Sequence, residues 1–244
     1  MPWIKTTYDC GNCKMVKNYF ASRYAAKKEV VHITNKTTAQ QQSVNDRNAM
    51  FRYSVLANAN FKKGDYFITF TFKRGALPGD INELKRIWAQ YRRKLRAVYK
   101  KRGIDLKYIY SFEHKECRPH FHFLCNNDGV NIADFPKWEY GTPHIETLDD
   151  REYHTIGEYF CKVVYDEEKE KGKIKFKGDL NSSRNNLFRP EPDIEVLDAP
   201  NWDDVPEAEE GYEIDYDSID NGYVEVVESR LRFRFQSYRM NRRE

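Results

Sequence analysis

Residues Arg118-Pro119-His120-Phe121-His122-Phe123 alternate polar and apolar side chains, and two histidines flank one phenylalanine. In a β-strand residues i and i+2 share a face. His120 and His122 therefore project together, while Phe121 and Phe123 turn into a core. The preceding run, Lys107-Tyr-Ile-Tyr-Ser-Phe-Glu113, alternates in the same way. Tyr108, Tyr110 and Phe112 take one face, and Ile109, Ser111 and Glu113 the other. A short connection through Lys115 and Cys117 predicts an antiparallel hairpin. With Glu113 opposite His120, Ser111 falls opposite His122. The aromatic side chains of both strands then lie on one side of the sheet, and Glu113, His120 and His122 meet on the other. One carboxylate and two imidazoles make a mixed oxygen–nitrogen ligand set suited to Mg²⁺ or Mn²⁺, less characteristic of structural zinc. A hairpin with a solvated polar face is the plainer alternative. His114 stands beside Glu113 and competes with it as third ligand.

Outward from this hairpin, Tyr66-Phe-Ile-Thr-Phe-Thr-Phe72 predicts a strand with Ile68, Phe70 and Phe72 on its apolar face and Thr69 and Thr71 on the other. Asp80 followed by Glu83 has the form of a capping box. Behind it Leu84, Ile87, Tyr91, Leu95 and Val98 recur at helical spacing. The other faces of that helix carry Lys85, Arg86, Arg92, Arg93, Lys94 and Arg96, either toward DNA or toward solvent. Thr38 to Asn60 predicts an earlier, more polar helix, and residues 1–35 read as short strands or an irregular lead. A short strand is expected around His144–Thr147. Asp149, with Glu152 three residues on, caps a further helix running to about Tyr165. Strand–helix–strand–strand–strand–helix favours an α+β fold: a central antiparallel sheet with helices packed on one face. The domain reading is an N-terminal extension with a helix (1–60), a main domain (61–190), and an acidic extension with a basic end (191–244).

At 244 residues the chain can bury a sizeable core. It has no apolar run of membrane-spanning length and no opening signal peptide, so a soluble, cytoplasmic protein is expected. Five scattered cysteines fit a reducing compartment, and Cys10-Gly-Asn-Cys13 has no second CxxC to complete a zinc site. Residues 191–228 hold 15 Asp/Glu and no Lys or Arg, whereas residues 1–190 carry 35 basic and 22 acidic side chains, a net of +13. A basic body favours a polyanionic partner such as nucleic acid. The acidic segment either covers a basic channel by imitating phosphate charge or forms a solubilising or β-structured extension.

In the helix expected from Arg151 to Tyr165, Ile156, Phe160, Val163 and Val164 form the core stripe. Tyr159 sits on its shoulder and Lys162 one step further round. Tyr153 falls in the stripe, and Tyr165 points nearly opposite. A phenol with a pKa near about 10 is a weak nucleophile when free. A neighbouring Lys162 can lower that pKa or stabilise charge on a phosphate under attack.

Taken together these residues resemble the HUH endonucleases, specifically the single-tyrosine rolling-circle replication initiators of plasmids and phages. Phe67–Phe72 is similar to the first motif, Pro119-His120-Phe121-His122 to the second, and Tyr159-x-x-Lys162 to the nucleophile motif. Asn45-Asp-Arg47, Asn60-Phe61 with Gly64-Asp65, Trp138-x-x-Gly141 and Ser183-Arg-Asn185 with Pro190 add to the likeness, which covers about residues 38–190. Position 163 is valine where two-tyrosine initiators carry a second tyrosine. The resemblance implies an RRM-like, ferredoxin-like sheet and His120, His122 and Glu113 holding Mg²⁺ or Mn²⁺. It also implies Tyr159 as nucleophile with Lys162 beside it, and nicking of single-stranded or extruded origin DNA in a bacterial host cell. A host replication helicase or polymerase and a second copy of the chain are the implied protein partners. A transposase or mobilisation relaxase, and a non-catalytic single-stranded nucleic-acid module, are the competing readings. Trp88, Tyr91 and Trp138 are candidates for stacking on unpaired bases, with core packing favoured for Tyr91.

Overall fold

The computed structural model describes residues 2–21, 39–113, 118–149, 178–183, 185–226 and 231–243. Its strands are β1 (Trp3–Asp9), β2 (Cys13–Phe20), β3 (Tyr66–Thr71), β4 (Tyr108–Glu113), β5 (His120–Cys125), β6 (Pro143–Thr147), β7 (Gly178–Ser182), β8 (Asp193–Leu197), β9 (Tyr212–Val226) and β10 (Leu231–Arg242). Two α-helices are described, α1 (Ala39–Asn58) and α2 (Ile81–Lys101). The fold is α+β, with two antiparallel five-stranded sheets ordered β8-β1-β2-β10-β9 and β6-β3-β5-β4-β7. They belong to two compact units. Of the described residues, one unit takes 60–149 and 178–188, and the other takes the segments before and after. The helix expected over 151–165, with Tyr159 and Lys162, lies outside the described residues, as do His114 and Arg184.

In the unit around β3–β7, the alternation read from the sequence becomes two faces. Ile68, Phe70, Phe72, Tyr108, Phe112, Phe121 and Phe123 form a buried core together with Leu84, Ile87, Trp88, Tyr91, Leu95 and Tyr99 of α2. The helix starts where expected. Asp80 is its N-cap, accepting from the Glu83 backbone N–H at 2.7 Å. Glu83 does not close the box on Asp80 but reaches one residue further back, accepting from Gly79 N–H at 2.8 Å.

Trp88, Tyr91 and Trp138 all lie in this core, 1%, 6% and 5% exposed. None is available to stack on a base, because the sheet offers its aromatic face to α2 instead. Trp88 lies 4.3 Å from Phe121, nearly parallel to it. It therefore props the residue between the two histidines from behind. Trp88→Ala is expected to destabilise the protein by about 3–5 kcal/mol, the range for large core truncations. Trp88→Phe should cost far less, since the indole N–H is buried without a hydrogen-bond partner among the described residues. Chemical unfolding of both variants checks the ordering.

Two of the short motifs have structural explanations. Trp138 Nε1 donates to the Thr71 carbonyl at 2.7 Å. A Cβ on Gly141 would stand 2.2 Å from that same oxygen, so glycine is required where this chain passes the end of β3. Asn60 exchanges hydrogen bonds with the Phe188 backbone at 2.6 and 2.7 Å, tying the two ends of this unit's described chain together.

In the other unit the lead and the acidic segment are regular structure. β1 and β2 form a hairpin, and β8 and β9 come from the acidic stretch. Cys10 and Cys13 are free, buried thiols at the hairpin turn, packed with Met15 and Val55. Some of the acidic charge is answered within this unit. Arg239 pairs with Asp215 at 2.7 Å, Arg234 with Asp204 at 2.6 Å, and Arg47 with Asp220 at 3.4 Å. These pairs join β10 to β9, β10 to the stretch before β9, and α1 to β9, so part of the charge contrast is resolved within this unit. Among the described residues no helix is long and apolar enough to cross a membrane.

Candidate metal centre

The polar face of the same sheet is built by register. β4 and β5 pair so that Glu113 faces His120 and Ser111 faces His122. β3 pairs on the other side, placing Thr69 opposite His122 and Thr71 opposite His120. A one-residue slip would send both histidines into the aromatic core, so burial of Phe121 and Phe123 enforces the polar arrangement.

Ligand atoms of Glu113, His120 and His122 all lie within 4.8 Å of one another. His120 Nε2 is 3.4 Å from Glu113 Oε2, His122 Nε2 is 3.5 Å from Glu113 Oε1, and the two Nε2 atoms are 3.1 Å apart. Ligands about 2.1 Å from one ion stand about 3.0 Å apart at right angles and about 3.4 Å apart at tetrahedral angles. The observed separations fit a single small divalent ion. Glu113 and His122 are buried, and His120 is half-buried, which leaves one side of the cluster open.

The remaining ring nitrogens fix how the imidazoles present themselves. His120 Nδ1 lies 2.9 Å from the Arg118 carbonyl, which can only accept, so a neutral His120 carries its proton on Nδ1. His122 Nδ1 lies 3.1 Å from Thr69 Oγ1. With the hydroxyl accepting, His122 takes the same tautomer. Both Nε2 lone pairs then converge with a carboxylate on one point. Three electron-rich atoms this close repel unless a cation or a proton lies among them. An outer partner on the second nitrogen of each histidine is the usual support of a metal-binding imidazole.

The structure thus brings together Glu113, His120 and His122 as the sequence suggested. Thr69 lies on the polar face as its alternation predicts, but its role as partner of His122 emerges only from the antiparallel pairing that sets the two opposite each other. His144, one strand further out, is exposed and lies 3.1 Å from Glu146 rather than joining the cluster.

Residues 65–168 match the family model of replication-associated protein ORF2/G2P. The match supports a replication-initiator role. It contains Glu113, His120 and His122, and also Tyr159 and Lys162. No curated protein and no solved structure matches the chain.

Proposed function

We propose that this protein is a single-tyrosine HUH nickase that initiates rolling-circle replication on single-stranded or extruded origin DNA. The observation that carries the reading is the convergence of Glu113, His120 and His122 on one face of β4 and β5, inside the stretch that matches the replication-associated family. Magnesium or manganese held there would polarise a phosphodiester and stabilise charge developing on it. Glu113 and the two imidazoles supply the ligands, and Thr69 and the Arg118 carbonyl hold the rings in place.

Tyr159 Oη attacks the phosphorus, losing its proton to solvent or a nearby base. A new oxygen–phosphorus bond forms, and the bond to the 3′-oxygen breaks. That oxygen leaves with the electron pair and takes up a proton. The products are a free 3′-OH that primes synthesis and a 5′ end joined to Tyr159. Lys162 stabilises the phenolate and the charged phosphate as the bonds exchange. Attack of a 3′-OH on the phosphotyrosine reverses the step and rejoins strands. With Val163 in place of a second tyrosine, the second cleavage draws on another copy of the chain, another tyrosine or water. The host helicase and polymerase are the partners that extend the primed strand.

Labelled single-stranded DNA from the element's intergenic region, incubated with the protein and Mn²⁺, should give a covalent adduct on a denaturing gel and none with EDTA. DNA that is retained without an adduct, at saturating metal, would favour a non-catalytic binding module.

A further inference from the structure

The sheet that carries the candidate metal centre has a cavity on its opposite, helix-covered side. It is about 640 Å³, within the range of small-ligand sites. It lies toward the β7 edge of the sheet, lined by α2, β4, β7 and the chain that follows β7. Tyr108 and Tyr110 line it from the core face of β4, whereas Glu113 and Ser111 point to the other side.

Its charge comes from Arg92 and Arg96, one helical turn apart on α2, against Asp105. Arg92 is held in place. Its guanidinium carbon lies 4.9 Å from the Tyr110 ring centre and 5.6 Å from that of Tyr108, and Nη1 donates to the Tyr108 hydroxyl at 3.0 Å. Arg92 Nε is buried with no hydrogen-bond partner among the described residues. The guanidinium is thereby fixed at the cavity wall, where its positive charge favours an anionic group. Arg96 is exposed at the rim. Across from it stand the exposed amides of Asn181 and Asn185, which carry both the donor and the acceptor that base edges require.

We propose that this cavity seats one nucleotide of a single DNA strand, with its phosphate at Arg92 and Arg96 and its base edge at Asn181 and Asn185. The inference rests on the DNA-strand reading above and adds a contact remote from the metal centre. A strand, rather than a free nucleotide, is indicated by charge complementarity beyond the cavity. Arg93, Lys94 and Lys100 are exposed on the same helix. Such a row of cations attracts the successive phosphates of a strand. Ser183, which also lines the cavity, accepts from Tyr108 N–H through Oγ at 3.2 Å.

The test uses the full-length protein in EDTA, with fluorescence anisotropy of a labelled oligothymidylate of about 20 nucleotides, longer than a typical single-strand site. Arg96→Glu should weaken binding about tenfold and make the slope of log affinity against log salt shallower by about one. Arg93→Glu makes the same charge change at a residue that does not line the cavity, and should weaken binding only about twofold by the general field. Asn185→Ala should weaken binding without changing the slope. Equal losses in Arg96→Glu and Arg93→Glu would overturn the site. So would displacement of the oligomer by thymidine monophosphate at equal nucleotide concentration, which would make the cavity a free-nucleotide pocket. Because EDTA removes the nicking step, these results stand apart from whether Tyr159 forms an adduct.

Discussion

His122→Ala is expected to abolish divalent-ion binding and to lower nicking by about a thousandfold, the scale of losing a principal electrostatic group from an active site. His122 is 2% exposed and packs against Phe67, so no water or neighbouring side chain can easily take its place as ligand. Its loss leaves Glu113 and His120, a two-ligand site open to solvent. Isothermal titration with Mn²⁺ measures the first effect and adduct formation the second, with circular dichroism confirming that the sheet remains. A graded companion is Thr69→Val, which keeps all three ligands but removes the partner of His122 Nδ1. It should weaken Mn²⁺ binding by about 10- to 100-fold, as loss of an outer-shell hydrogen bond does elsewhere. Undiminished Mn²⁺ affinity in folded His122→Ala would show that the cluster is a hydrogen-bonded polar face and not a metal centre.

The second large effect is expected at a residue outside the described structure. Tyr159→Phe removes one oxygen and should eliminate the covalent protein–DNA adduct altogether, while leaving Mn²⁺ affinity and DNA binding at the wild-type level. The hydroxyl is the only group lost, and without it no phosphotyrosine can form. Lys162→Met should keep the adduct but slow its formation by about a hundredfold, because it removes charge stabilisation and not the nucleophile. An adduct that survives in Tyr159→Phe would retain the reaction class and move the nucleophile to another tyrosine. The two experiments separate cleanly. The histidine variant fails at the metal, and the tyrosine variant fails at the bond.

The Glu113–His120–His122 cluster was legible because strand periodicity is local. Once Phe121 and Phe123 are committed to a core, His120 and His122 have one face left, and the alternation of Lys107–Glu113 brings Glu113 opposite His120. The antiparallel pairing of β4 with β5 follows from the short connection between them. The same logic placed Ile68, Phe70 and Phe72 against α2 and began that helix at Asp80.

Other features depended on partners far apart in sequence. The aromatic side chains proposed to meet bases are buried, since an exposed and a buried tryptophan look alike until the packing of α2 on the sheet is known. In the other unit the alternation of Tyr223–Val226 and Leu231–Phe235 is legible as strand, whereas the sheet is closed only by pairing across nearly the whole chain, β1 with β8 and β2 with β10. The Glu83 side chain chose Gly79 over Asp80 through loop geometry that no spacing rule contains.

By itself, then, the sequence determined the residue types of the candidate metal centre, the faces on which they lie and the strands that carry them, because each rests on alternation within a few residues. Only the tertiary structure decided that their ligand atoms converge at 3.1–3.5 Å, that Thr69 braces His122, and that Arg92 is pinned beside a cavity on the opposite side of the sheet. Those outcomes depend on how strands distant in sequence pair and how α2 packs across them, and long-range pairing leaves no signature within a short stretch of chain.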